Sequence, residues 1–161
     1  MFRALDPAGD AFAQSAAVDV AGFTLSHTDE ADQIIWQKAA FNCAMNACAG
    51  LTGARVGLLN DGPGMVDLLH EVVAEVITVA QAQGIEADEG AVREQVAHAL
   101  AHHTEHKPSM LQDLEAGRGT EIDSLCGEVA RQAAAAGLRA PLNAALASLI
   151  TLKSHAASAA S

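Results

Sequence analysis

The chain has 161 residues, 9 of them Lys or Arg and 20 Asp or Glu, for a formal charge of −11, and half of its residues are hydrophobic. Such a chain is too apolar to stay disordered and long enough to bury roughly two thirds of its unfolded surface in one domain. The acid excess, with no basic cluster to offset it, excludes nucleic acid and anionic lipid as partners. No apolar run reaches the roughly 20 residues that a membrane span needs. Met1 to Asp10 lack a basic region followed by an apolar run and a cleavage site, so the reading is a cytosolic protein. Its three cysteines, Cys43, Cys48 and Cys126, read as reduced thiols packed as small hydrophobes.

Alanine is abundant and apolar residues recur three and four apart, so the pattern predicts an all-α fold. A weak first helix is expected over Ala11 to Val20, followed by a short extended stretch at Phe23, Thr24 and Leu25. Thr28 or Asp29 then caps a main helix from about Glu30 to Cys48, which stops at Gly50 or Gly53. Pro63 opens an amphipathic core helix carrying Leu69, Val72, Val73, Val76 and Ile77 as far as Gly84. Asp88 starts the next helix, which Pro108 terminates because the residue before a proline avoids the α region. The Ser109 hydroxyl is placed to cap Met110 to Glu115, and Thr120 to cap Glu121 to Ala136, with Asp123 in the capping-box position. Gly137 ends that helix. Pro141 begins the last one, Leu142 to about Lys153, and the tail from Ser154 reads as frayed.

On the main helix Lys38, Asn42 and Asn46 are spaced by four, and at about 100° per residue they share one sector of about 80°. Apolar residues surround them, and the reverse side, with Trp36, Ala40, Cys43, Ala44 and Ala47, is scarcely more polar. The expectation is a helix buried nearly all round, in which an ammonium and two carboxamides need partners. Two readings are open: a lysine reaching to solvent beside two asparagines bonded to backbone or water, or a site for an anion or a carbonyl group.

The string Trp36-Gln37-Lys38, continued by Asn42 and Asn46, resembles the W-x-K-x-x-x-N-x-x-x-N signature of the ketopantoate reductase family. Ser109-Met110-Leu111-Gln112-Asp113 and Gly117-Arg118-Gly119-Thr120-Glu121-Ile122-Asp123 resemble that family's S-M-x-Q-D and G-R-x-T-E-I-D segments, and Gly127, Gly137 and Pro141-Leu142-Asn143 continue in register. The resemblance covers about residues 22 to 153. It implies reduction of 2-ketopantoate to pantoate with NADP(H), on the route to pantothenate and coenzyme A. It also implies a helical domain similar to the C-terminal domain of 6-phosphogluconate dehydrogenase. By position, Lys38 would be the general acid, Asn42, Asn46 and Ser109 would bind substrate, and Glu121 would bind substrate and hold Lys38. Read from the residue alone, Glu121 is a first-turn acid facing a helix dipole.

A Rossmann domain needs a βαβ unit with G-x-G-x-x-G entering a helix. Gly62-Pro63-Gly64 and Gly117-Arg118-Gly119 do not supply it, so no cofactor-binding residue is assigned. The resemblance makes residues 1–28 a remnant or linker and residues 29–161 the helical domain. Three origins stay open: a fragment, a free-standing domain, or one half of a split enzyme partnered by a separate Rossmann chain. Apolar surface that a Rossmann domain would cover implies self-association, as in a homodimer. The rival to an enzyme half is a non-catalytic helical oligomerisation module. His98, His102 and His106, spaced by four with His103 beside them, could offer imidazoles to zinc or copper, but without a tied Cys or carboxylate they read as ordinary surface histidines.

Overall fold

A computed structural model of the chain describes residues 18–20, 23–25 and 29–159. The described residues hold a short hairpin, seven α-helices and one π-helical turn, so the expected all-α fold is present. The hairpin pairs β1 (Val18–Val20) antiparallel to β2 (Phe23–Leu25), with Val18 opposite Leu25 and Val20 opposite Phe23. This corrects the end of the helix expected over Ala11 to Val20: alternating Val18-Asp19-Val20 suits a strand better than a helix. The rest of that expected helix, and the cap assigned to Thr28, lie outside the described residues.

Helix α1 (Asp29–Thr52) is the axis of the fold, with α2 (Val56–Asp61), α3 (Met65–Ala82), α4 (Glu89–His102), α5 (Ser109–Glu115), α7 (Pro141–Ala159) and the π turn (Asp123–Gly127) all packed on it. Helix α6 (Glu128–Ala135) completes the set. Small side chains make α1 approachable: Ala40, Cys43, Ala44, Ala47 and Ala49 are fully buried. Gly50 sits where an added Cβ would come within 3.2 Å of both Leu114 Cδ1 and Met110 Cγ, so its missing side chain lets α5 close in. Gly53, in the left-handed region at φ 74°, ends the helix. The last carbonyls are not left bare, because Lys153 Nζ on α7 donates to those of Gly50 (2.7 Å) and Leu51 (2.9 Å).

Helix α3 buries Leu69, Val72, Val73, Val76 and Ile77, the stripe expected from its spacing, and Val79 beyond it. From the same helix Glu75 caps α7: its carboxylate accepts from the Leu142 and Asn143 backbone N–H groups, each at 2.9 Å, and from Asn143 Nδ2 at 2.8 Å. Pro141 begins α7 as expected, but the helix runs on to Ala159 instead of fraying at Ser154. Asp88 caps α4 by accepting from Ala91 N at 3.1 Å. Helix α4 ends at His102, well short of Pro108, and the connection that follows is pinned to α2, where Val56 N donates to His106 O (3.1 Å) and Gly57 N to Thr104 O (2.9 Å).

The expected helix over Glu121 to Ala136 is divided. A π turn precedes α6, its wider ring closed by Gly127 N donating to Ile122 O at 3.1 Å. No side chain caps either part, and Asp123 pairs with Arg131 at 2.8 Å instead of serving a capping box. The turn packs on α1, with Cys126 Sγ 3.8 Å from Cys43 O. The thiol of Cys43 is pushed up, first by its hydrogen bond with Cys126 and then by burial. Burial is also the main reason that Cys48 is raised to about 12. Cys43 and Cys48 are therefore protonated packing groups, and all three cysteines are free and buried.

Candidate functional site

Lys38, Asn42 and Asn46 lie along α1 on one face, as their spacing requires, with Lys38 exposed and both asparagines half-buried. That face is open. Ile34 and Ile35, flanking Lys38, are 59% and 51% exposed. This corrects the expectation of a helix buried nearly all round: the N-terminal turns of α1 bury only the Trp36, Ala39 and Ala40 side, and nothing among the described residues covers the other. Water solvates the ammonium, so the need for an internal partner disappears.

Ser109 meets the row. Asn46 Nδ2 donates to Ser109 Oγ at 3.4 Å, a long bond that joins α1 to the start of α5 across 63 residues of sequence. The cap expected from the Ser109 hydroxyl is absent: Pro108 stands at the N-cap position, no side-chain bond caps α5, and Ser109 Oγ faces the row. Glu121 is exposed, in the turn before the π turn, and its backbone oxygen accepts from Ser124 Oγ and Leu125 N at 3.0 Å each. Among the described residues Lys38 and Glu121 form no ion pair, so the expected contact between them is not made. The structure thus joins Ser109 to Asn46 on the face of α1 that also bears Lys38 and Asn42, and leaves Glu121 on the segment that leads into α1's packing partner.

A row of this kind offers one cation and three hydrogen-bonding side chains to solvent, a set that suits a small molecule carrying a carboxylate and a carbonyl oxygen. A recess of about 340 Å3 runs beside it, lined by Phe41 and Met45 of α1, Val56 of α2, Ala99 of α4, and His103, His106 and Pro108 of the connection. Sequence reasoning named His103 and His106 only as possible metal ligands and Pro108 only as a helix terminator, and did not connect any of them with the row. The signal was present in the apolar pair Phe41 and Met45, each one residue before an asparagine of the row.

A second hollow, of about 600 Å3, carries Arg55, Lys107 and Arg118, but each is paired, with Glu105, Glu115 and Asp113 respectively, so no cation there is free for an anion. The histidines stack: the rings of His98 and His102 lie 4.3 Å apart, His103 tilts onto His98 at 5.7 Å, and His102 Nδ1 lies 3.0 Å from His98 O. Among the described residues no three His, Cys, Asp or Glu side chains converge as metal ligands, and no helix is long and apolar enough to cross a membrane.

Residues 30–154 match the family model described as the C-terminal domain of ketopantoate reductase PanE/ApbA. A 2-dehydropantoate 2-reductase of Yersinia pestis is 34% identical over 118 residues, 73% of this chain and 38% of that protein. The crystal structure of a PanE/ApbA family ketopantoate reductase from Ralstonia eutropha aligns with a TM-score of 0.69 at 31% identity, covering 76% of this chain and 41% of that one. A ternary structure of D-mandelate dehydrogenase with NADH and anilino(oxo)acetate aligns with a TM-score of 0.76 at 26% identity, covering 80% of this chain and 43% of that one. The chain therefore spans less than half the length of these relatives.

Proposed function

Since this chain belongs to the ketopantoate reductase family, whose C-terminal helical domain it forms, we propose that it is the substrate-binding and proton-donating half of a 2-oxo acid reductase. The observation that carries this reading is the junction of Asn46 with Ser109 on the open face that also bears Lys38 and Asn42. Asn42, Asn46 and Ser109 hold the carboxylate and orient the ketone. Lys38 Nζ lies against the ketone oxygen, where negative charge gathers as the carbonyl carbon is reduced, and passes its proton to that oxygen to leave a hydroxyl. Glu121 is a positioning residue, brought toward the row when substrate draws Lys38 inward.

The nicotinamide cofactor that the resemblance implies does not fit the described residues: none of their strands leads through a glycine-rich turn into a helix, so no step is routed through it. A dinucleotide-binding unit, on the same polypeptide or a separate one, would close over Ile34, Ile35 and Lys38 and supply the hydride chemistry. Ketopantoate leads as substrate from the family match, and the anilino(oxo)acetate held by the D-mandelate dehydrogenase relative extends the class to other 2-oxo acids.

Calorimetric titration of the chain with ketopantoate tests this reading. Saturable binding is expected, weakened about tenfold or more by Lys38→Ala, since removing a charged hydrogen-bond partner costs about 1.5–3 kcal/mol. The chain alone is expected to give no ketopantoate-dependent NADPH oxidation. No binding, or binding untouched by Lys38→Ala, would overturn the assignment. The rival, an oligomerisation module without catalysis, is favoured by one observation, the exposure of Ile34, Ile35, Leu58, Leu149 and Leu152; under it Lys38→Ala would alter only stability and assembly.

A further inference from the structure

The end of α4 and the connection behind it carry His98 and His102 on the helix and His103 and His106 after it, all exposed. His98 and His102 are four residues apart and leave the helix on one face. Their rings are stacked, with centroids 4.3 Å apart and planes inclined by 23°, so the two imidazoles already extend together from the helix. His102 Nδ1 lies 3.0 Å from the His98 carbonyl oxygen. A carbonyl only accepts, so that nitrogen carries the proton and donates it, and the lone pair of the neutral ring is left on Nε2. A bond of this kind to a backbone carbonyl is the outer contact that metal-bound imidazoles make, because it holds the ring in place and raises the basicity of the other nitrogen.

The surroundings favour a cation. Glu94, four residues before His98, lines one hollow with Gln95, His98 and His103, and no Lys or Arg lines it. The chain's formal charge of −11 adds a general attraction for cations. An ion held by two imidazole nitrogens at about 2.0–2.1 Å each needs those nitrogens about 3 Å apart, so rings 4.3 Å apart have only about 1 Å to close. Rotation of two exposed side chains supplies that without moving the helix. Neutral nitrogen donors suit Cu2+, Ni2+ and Zn2+, whereas Mg2+ and Ca2+ take oxygen ligands. A two-imidazole chelate leaves the other positions of the ion to water, so it does not require the third converging ligand, which is absent among the described residues.

We propose that His98 and His102 form a chelating pair for a divalent transition-metal ion of the copper, nickel and zinc class, with the remaining positions of the ion open to water. The pair stands apart from the polar row of α1 and does not depend on how that row is read. Calorimetric titration of the whole chain, first stripped with EDTA, with Cu2+, Ni2+, Zn2+ and Mg2+ tests it, and electron paramagnetic resonance of the Cu2+ form counts the nitrogens on the ion. A single Cu2+ per chain is expected, bound more tightly than Ni2+ or Zn2+, undisturbed by excess Mg2+ and split by the nitrogens of a pair of imidazoles. His98→Ala and His102→Ala each weaken it about tenfold or more, since losing a ligand costs at least as much as losing its outer contact. His155→Ala, which removes an exposed imidazole on α7, leaves it unchanged. Absence of binding, binding untouched by both His98→Ala and His102→Ala, an equal loss with His155→Ala, or displacement by Mg2+ would overturn the pair.

Discussion

Asp123 and Arg131 show how an exposed pair can be perturbed and still contribute little. The guanidinium, hydrogen-bonded at 2.8 Å, holds the Asp123 carboxyl below its ordinary value of 3.8. Its side chain is 80% exposed, so water and salt screen the pair and its worth stays under about 1 kcal/mol. The folded value is the lower one, so the stabilisation is fully present above pH 3.8 and is lost as the pH falls through the folded value. Acid titration of Asp123→Asn beside the wild type is expected to show a small stability deficit at neutral pH that closes below that window. A deficit that persists unchanged into strong acid would contradict the pairing. At this scale the sequence was most legible in Lys38, Asn42 and Asn46, because residues four apart on a helix share a face whatever packs around them. It was least legible in whether that face is dry, since burial depends on a neighbour that periodicity does not describe.

Helices show the same division between local and non-local causes. Starts and stops written in one or two residues were readable, as with Asp88 at the head of α4, Gly53, Gly84 and Gly137 in left-handed geometry at helix ends, and Pro141 at the start of α7. Helix α2 was not, because Gly57 lies inside its 6 residues and Gly62 follows, a pattern that reads as a break. Its glycine is explained only by tertiary contact: a Cβ on Gly57 would come within 3.0–3.2 Å of Thr104, the residue to which its N–H is bonded. The π turn was hidden for a similar reason, since Gly127 N reaching back to Ile122 O depends on packing against Cys43 and α7, not on local propensity. Glu75 ties α3 to α7. Its carboxylate answers three donors at the head of α7, so Glu75→Ala is expected to cost about 2 kcal/mol and lower Tm by about 4–8 °C in thermal unfolding. A change under about 1 °C would mean that water replaces the carboxylate freely.

For the molecule as a whole, the open side of α1 is what separates this fold from a sealed bundle. One flank of the helix is packed by α3, α5, α7 and the π turn, while Ile34, Ile35 and Lys38 face outward near its start. Contiguous exposed apolar groups beside a polar row are the mark of a surface that another body covers. Light scattering at rising concentration is expected to show self-association of the chain, reduced when Ile34 and Ile35 are both replaced by Glu. A wild type that stays monomeric at high concentration would contradict it. Both asparagines carry side-chain amides that report directly on what touches them, and nitrogen-15 NMR resolves them while ketopantoate is added. The account predicts that the Asn42 and Asn46 amide signals move together and saturate, and that Lys38→Ala weakens the response; signals that stay still in the wild type, or move identically in the variant, would contradict it.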